Sequence, residues 1–114
     1  MVILLDERPA ISAGDTEVVA VNYTSHLNSG EILVGTPTVV DQATTPSVLT
    51  IDDIAINSAT YVESETGDTV AIGRAVLFSV TTTTSGDYTI RITVSTDSVP
   101  KARRFIRDIS LRFV

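Results

Sequence analysis

The chain carries one histidine, His26, directly after Ser25. A serine nucleophile needs a histidine base and an acidic group behind it, brought together by the fold and not by adjacency in sequence. Ser25 and His26 do not make such a triad, and His26 is expected in a loop or at a strand end with its polar atoms satisfied. Zinc sites need several convergent nitrogen or sulfur ligands. With one histidine and no cysteine, a zinc site is not expected. Calcium needs oxygen alone. Glu63, Glu65 and Asp68 crowd into "ESETGDT", and Asp52 and Asp53 form a second acidic pair. Their spacing does not fit an EF-hand loop. A solvated acidic turn is expected there, with a calcium-binding loop as the alternative. Paired carboxylates can also hydrolyse glycosides. A cleft that stacks sugars is poorly served by 5% aromatics and no tryptophan. The glycines at 30, 35, 67, 73 and 86 stand alone, so no phosphate-cradling loop is built. The expectation is a protein that is not an enzyme, with no catalytic, cofactor-binding or metal-ligating residues.

The charge is unevenly spread. The net charge is −6. Residues 1–100 hold 13 acidic side chains against three arginines, which is −10. Residues 101–114 hold Lys101, Arg103, Arg104, Arg107 and Arg112 against Asp108, which is +4. A surface for duplex nucleic acid is broadly basic, so nucleic acid is not the expected partner. The basic strip reads either as a solvated edge strand whose charge resists aggregation or as a contact with an acidic surface, such as another copy of the chain. Lys101, Arg103, Arg104 and Arg107 are its candidate interaction residues. At the other end, "MVILL" is apolar for five residues and meets Asp6 and Glu7 at once. That pattern predicts neither a signal peptide nor a membrane span. Val2, Ile3, Leu4 and Leu5 are candidate interaction residues too. Residues 1–11 read as an arm that adds to a neighbour's sheet edge, or as an ordinary first strand with Pro9 at a bulge or edge.

These residues must be held by strands. Apolar residues recur with period two almost throughout. Strands are predicted over 17–24, with Val19, Val21 and Tyr23 on one face, and over 31–40, bent near Gly35 and Pro37. Further strands are expected over 48–56, over 59–63 as a short one, and over 70–80. A sixth places Tyr88, Ile90, Ile92 and Val94 on one face; a last one places Ile109, Leu111 and Phe113 on its core face. Threonine, valine and isoleucine are stiff at the β-carbon and fit a pleated sheet better than a helix. A composition of 43% hydrophobic and 19% charged residues suits one globular domain spanning 1–114. About seven short strands separated by turns predict an all-β fold, an immunoglobulin-like antiparallel β-sandwich. The join "TTTTSGDYTIRITVS" at 81–95 fits it. There, a tyrosine near a strand start reaches back to lock the crossing between sheets, and Tyr88 is assigned that role. The threonine hydroxyls are expected to satisfy backbone groups where the preceding strand ends.

Taken together, the strand at 17–23, "HLNSGEILVGTPTV" at 26–39, "TVAIGRAVLFSVTTTTSGDYTIRITVSTDS" at 69–98 and the basic-apolar strand at 103–114 resemble small immunoglobulin-like bacteriophage virion proteins. Members are often described as fibre-tail adaptors; related sandwiches decorate or cement capsids. The resemblance implies a non-enzymatic virion structural protein, tail- or neck-associated, with a capsid cement or decoration protein as the alternative. It implies other virion proteins as partners, multiple copies on a symmetric particle, synthesis in a bacterial host's cytoplasm, and no cofactor, nucleic acid or membrane. A carbohydrate- or calcium-binding β-sandwich module is the alternative from another class.

Overall fold

The structure, a computed structural model, describes residues 10–43, 48–63 and 66–114. Its elements are β1 (Thr16–Asn22), a single 3-10 turn (Thr24–His26), β2 (Leu33–Asp41), β3 (Thr50–Ile56), β4 (Tyr61–Val62), β5 (Thr69–Val70), β6 (Ala75–Thr81), β7 (Gly86–Thr96) and β8 (Arg104–Phe113). The strands form two three-stranded antiparallel sheets, ordered β1-β6-β3 and β2-β7-β8, and a small antiparallel pair of β4 and β5. The protein is therefore all-β and sandwich-like, as the period-two pattern requires.

The alternation explains the layering. Val19 and Val21 of β1 and Val76, Phe78 and Val80 of β6 turn inwards from one sheet. Ile90, Ile92 and Val94 of β7 and Ile109, Leu111 and Phe113 of β8 turn inwards from the other. They meet in one buried cluster that also takes in Tyr23, Leu33, Val39 and Ile11. Odd and even residues of a strand point to opposite faces, so a strand with one apolar set can be buried in only one register. In β7 that set runs unbroken, and β7 lies at the centre of its sheet, paired with β2 on one side and β8 on the other.

The turns show where the sequence pattern stops. The expected bend near Gly35 and Pro37 is present: the β2–β7 register shifts between Val34 and Thr38, and Gly35 adopts φ 81°. β2 is an edge strand, where proline's missing N–H does no harm. The strand expected over 70–80 is two, β5 and β6, broken at Gly73, whose φ is also 81°. Asn57 holds this break together. Its buried amide donates to the Ala59 and Ala71 carbonyls and accepts from the Arg74 and Ala75 backbone N–H groups.

Between β6 and β7 the threonines do what was expected. Thr81 Oγ1 donates to the Asp15 carbonyl at 3.1 Å, and the Thr84 N–H donates to Thr82 Oγ1 at 3.1 Å. The Tyr88 hydroxyl reaches back four residues to the Thr84 carbonyl at 2.7 Å. Its ring packs edge-on against Phe113, 5.6 Å between centroids. That ties the entry of β7 to the end of β8. Residues 10–13 reach the same place: Ile11 bridges Phe113 in parallel, donating to the Arg112 carbonyl and accepting from the Val114 N–H, both at 2.8 Å.

Candidate functional site

The basic strip is divided by the pleat of β8. Arg103, just before the strand, and Phe105 and Arg107 within it are half-buried; Arg104, Ile106 and Asp108 are exposed on the opposite face. Lys101 lies in the exposed turn before β8. The residues grouped by sequence as one strip therefore have separate positions. Val2, Ile3, Leu4 and Leu5 lie outside the described residues.

Arg103 is held by the protein's own groups. Its guanidinium pairs with the carboxylate of Glu31, donates to the His26 carbonyl at 2.8 Å, and lies 5.1 Å above the ring of Phe105. Glu31 is a buried carboxylate, 5% exposed. Besides Arg103 it accepts from the Ser98 hydroxyl and from the Asn28 N–H. A buried charge is tolerable only when paired and fully hydrogen-bonded. The Arg103, Ser98 and Asn28 bonds hold the Glu31 carboxyl far below the usual carboxylate range, and the same pairing raises Arg103. Sequence reasoning missed this pair because 72 residues separate the partners. The only available signal was one acidic residue beginning a strand-like run and one basic residue before another.

Arg107 is differently placed. It lines an open recess of about 490 Å³ with Tyr23, His26, Arg104, Phe105 and Ile106. Among the described residues Arg107 and Arg104 make no ion pair. Tyr23 is 1% exposed, and no protein group hydrogen-bonds its hydroxyl. Its ring stacks on Phe105, 5.6 Å between centroids and 16° between planes, while the His26 ring tilts against the other partner of that stack, Phe105, at 6.2 Å. Burial pushes the Tyr23 hydroxyl up to about 12, and the positive charge of Arg107 opposes part of that rise. Arg107 therefore acts electrostatically on the hydroxyl. The recess combines hydrogen-bond donors and positive charge on an aromatic floor, which is chemistry for receiving an anionic oxygen.

The backbone at the recess is also distinctive. Arg104 to Arg107 are consecutive, so their side chains alternate between faces. A recess touching all four must run along the edge of the strand. The carbonyl of Arg103 accepts from Thr96 of β7, whereas the Arg112 carbonyl and the Val114 N–H face Ile11 on the other side. Odd residues of β8 thus bond to β7, and even residues turn both backbone groups outward. Arg104, Ile106, Asp108 and Ser110 present theirs to a side on which no described strand lies.

The remaining candidates are structural in their contacts. The His26 N–H donates to the Tyr23 carbonyl. Asp53 accepts from the Ser79 hydroxyl at 3.2 Å, in the bulge where the β3–β6 register shifts. Glu63 is buried and accepts from the Asn22 amide; Glu65 lies outside the described residues. Among the described residues no three His, Asp or Glu side chains group as a metal site, and no helix is long and apolar enough to cross a membrane. Comparison with known proteins returns no matching family model, curated protein or solved structure.

Proposed function

We propose that this chain is a non-enzymatic structural protein of a bacteriophage virion, an adaptor at the tail or neck that assembles in multiple copies through protein–protein contacts. The scaffold we propose for it is an immunoglobulin-like sandwich. Its support is the strand order: β1-β6-β3 faces β2-β7-β8, with Ile11 running parallel beside β8. That is the order of the B-E-D and C-F-G strands of such domains. The back-reaching Tyr88 hydroxyl fits the same fold, as the tyrosine that closes its corner.

One observation carries the functional reading. The described polar side chains with buried or directed chemistry, Glu31, Asn57, Glu63 and Tyr88, all hold the chain's own backbone or side chains. Among the described residues, uncommitted chemistry includes the hydroxyls of Tyr23 and Tyr61 and the outer edge of β8, where Arg104, Ile106 and Arg107 adjoin a row of backbone donors and acceptors that no described strand pairs. A surface of that kind binds; it does not transform. Tagging the protein and locating it in purified particles by labelling and copy counting tests the reading. Copies confined to one ring at the neck or tail are expected. Copies spread over the shell would instead make it a cement protein, and a particle without it would reject the proposal.

A further inference from the structure

We propose that the outer edge of β8, from Arg104 to Ser110, binds an extended acidic segment of a partner protein as an added strand, with one of its carboxylates received by Arg107 and the Tyr23 hydroxyl. The inference deepens the reading of the chain as a binding module and rests on it.

Three observations converge on this edge. The first is the backbone. Arg104, Ile106, Asp108 and Ser110 turn N–H and C=O groups outward in strand spacing. Alternating donors and acceptors at that spacing are matched by another extended backbone, and not by a phosphate or a small anion. The edge already accepts one such neighbour: Ile11 occupies its far end through two 2.8 Å backbone bonds. The second is Tyr23. Tyr23, 1% exposed, lines the open recess, and its buried hydroxyl has no protein partner, so a ligand side chain that enters far enough supplies the acceptor it lacks. The third is charge. Arg107 and Arg104 line the recess with no acidic partner among the described residues, whereas Arg103 beside them is neutralised by Glu31. An incoming strand points alternate side chains to the inner face. The one that falls beside Arg107 meets an arginine, a phenol and the ring of Phe105, a combination that selects a carboxylate over an amide or an apolar group.

The edge is also protected against indiscriminate pairing. Arginines line it on both faces, and charge on an edge strand repels unsuitable strands. The same arginines favour an acidic strand, so solubility and selectivity come from the same side chains.

The test is selection of a yeast-displayed library of random short peptides on the full chain. The peptides enriched should carry Asp or Glu within a run of β-branched residues. A synthetic copy of one of them is then titrated, beside its Glu→Gln or Asp→Asn counterpart. Binding should fall about tenfold with Arg107→Ala and about fivefold with Tyr23→Phe, as expected for a charged and a neutral hydrogen bond. Tyr23→Phe keeps the stack on Phe105 and removes a hydroxyl with no protein partner, so its melting temperature should not fall. Hydrogen exchange should show the amides of Arg104, Ile106, Asp108 and Ser110 gaining protection on binding, with those of Phe105, Arg107 and Ile109 protected beforehand. A library that enriches nothing, peptides bound equally well after the acid is neutralised, or even-numbered amides already protected in the free protein would each overturn the proposal. The last outcome would mean that the chain covers its own edge. Any of these results with the protein still found in particles removes the β8 edge and leaves the structural role standing.

Discussion

Glu31 is the residue whose role local sequence conceals best. It begins a polar-to-apolar run and looks like a solvated charge before a strand. In the fold it is the buried counter-ion of Arg103 and an acceptor for Ser98 and Asn28. Glu31 is the buried member, and donors from Arg103, Ser98 and Asn28 converge on both of its oxygens, so a glutamine there removes the paired charge and sets its own NH2 against one of those donors. Glu31→Gln should therefore lower the melting temperature clearly, while an equivalent change in the exposed Arg91–Asp108 pair should do little. The pH dependence follows from the lowered Glu31 pKa. In the unfolded chain Glu31 protonates near 4.5, and in the folded protein far lower. Its contribution is complete above pH 4.5 and is lost as pH falls towards the folded value. A melting curve of the wild type should slope downwards across that acid range, and Glu31→Gln should flatten the slope. Parallel slopes would show that other carboxylates govern acid stability. Tyr88 is the opposite case, because its place was readable. A tyrosine after Gly-Asp and before strict alternation predicts a back-reaching hydroxyl, and the 2.7 Å bond to Thr84 is there. Tyr88→Phe keeps the edge-on contact with Phe113 and should cost about 1–2 kcal/mol, read as a lower urea midpoint at unchanged slope.

At the scale of elements, legibility follows periodicity. β7 and the second half of β8 could be placed from sequence because every second residue is apolar from Tyr88 to Val94 and from Ile109 to Phe113, and each set faces a single core. β5 and β6 could not be separated, because the apolar residues continue through the break. What divides them is a backbone angle: Gly73 sits at φ 81°, and a β-carbon there would approach the Ile32 side chain to 3.0 Å. Neither fact is written in an alternation pattern. Gly30 provides the comparison, with φ 78° and open space around it. Both positions disfavour a side chain through φ alone. Gly73→Ala must also displace Ile32, the residue that links Glu31 to the start of β2. It should cost about 1–3 kcal/mol, more than Gly30→Ala measured in the same denaturation series. Equal losses would mean that Ile32 yields freely and that φ alone sets the cost. The candidate site was half legible for the same reason. Tyr23 was readable as a core residue from its spacing with Val19 and Val21. That its hydroxyl lacks a partner depends on β8 passing beside it, with Phe105 and Arg107 contributed from more than eighty positions later in the chain.

The whole molecule sorts its charge in a way that counting residues cannot. The −10 of residues 1–100 and the +4 of residues 101–114 suggest a uniform basic strip at one end. Folding neutralises Arg103 against Glu31 and pairs Arg91 with Asp108, leaving Arg104, Arg107 and Arg112 of β8 without an ion pair among the described residues. The two adjacent arginines should thus respond differently to charge reversal. Arg103→Glu sets a second carboxylate against buried Glu31 and should act on folding, lowering the melting temperature before any contact is considered. Arg104→Glu changes an exposed side chain and should leave stability nearly untouched. If the β8 edge joins the protein to an acidic neighbour, sedimentation with particles lacking the protein should show wild-type attachment weakening as salt rises. Arg104→Glu should attach less at low salt and vary less with ionic strength, because the attraction that salt screens has been removed. Attachment of Arg104→Glu equal to wild type at every salt concentration would place the contact on another surface, while the difference in stability between the two variants would still follow from Glu31.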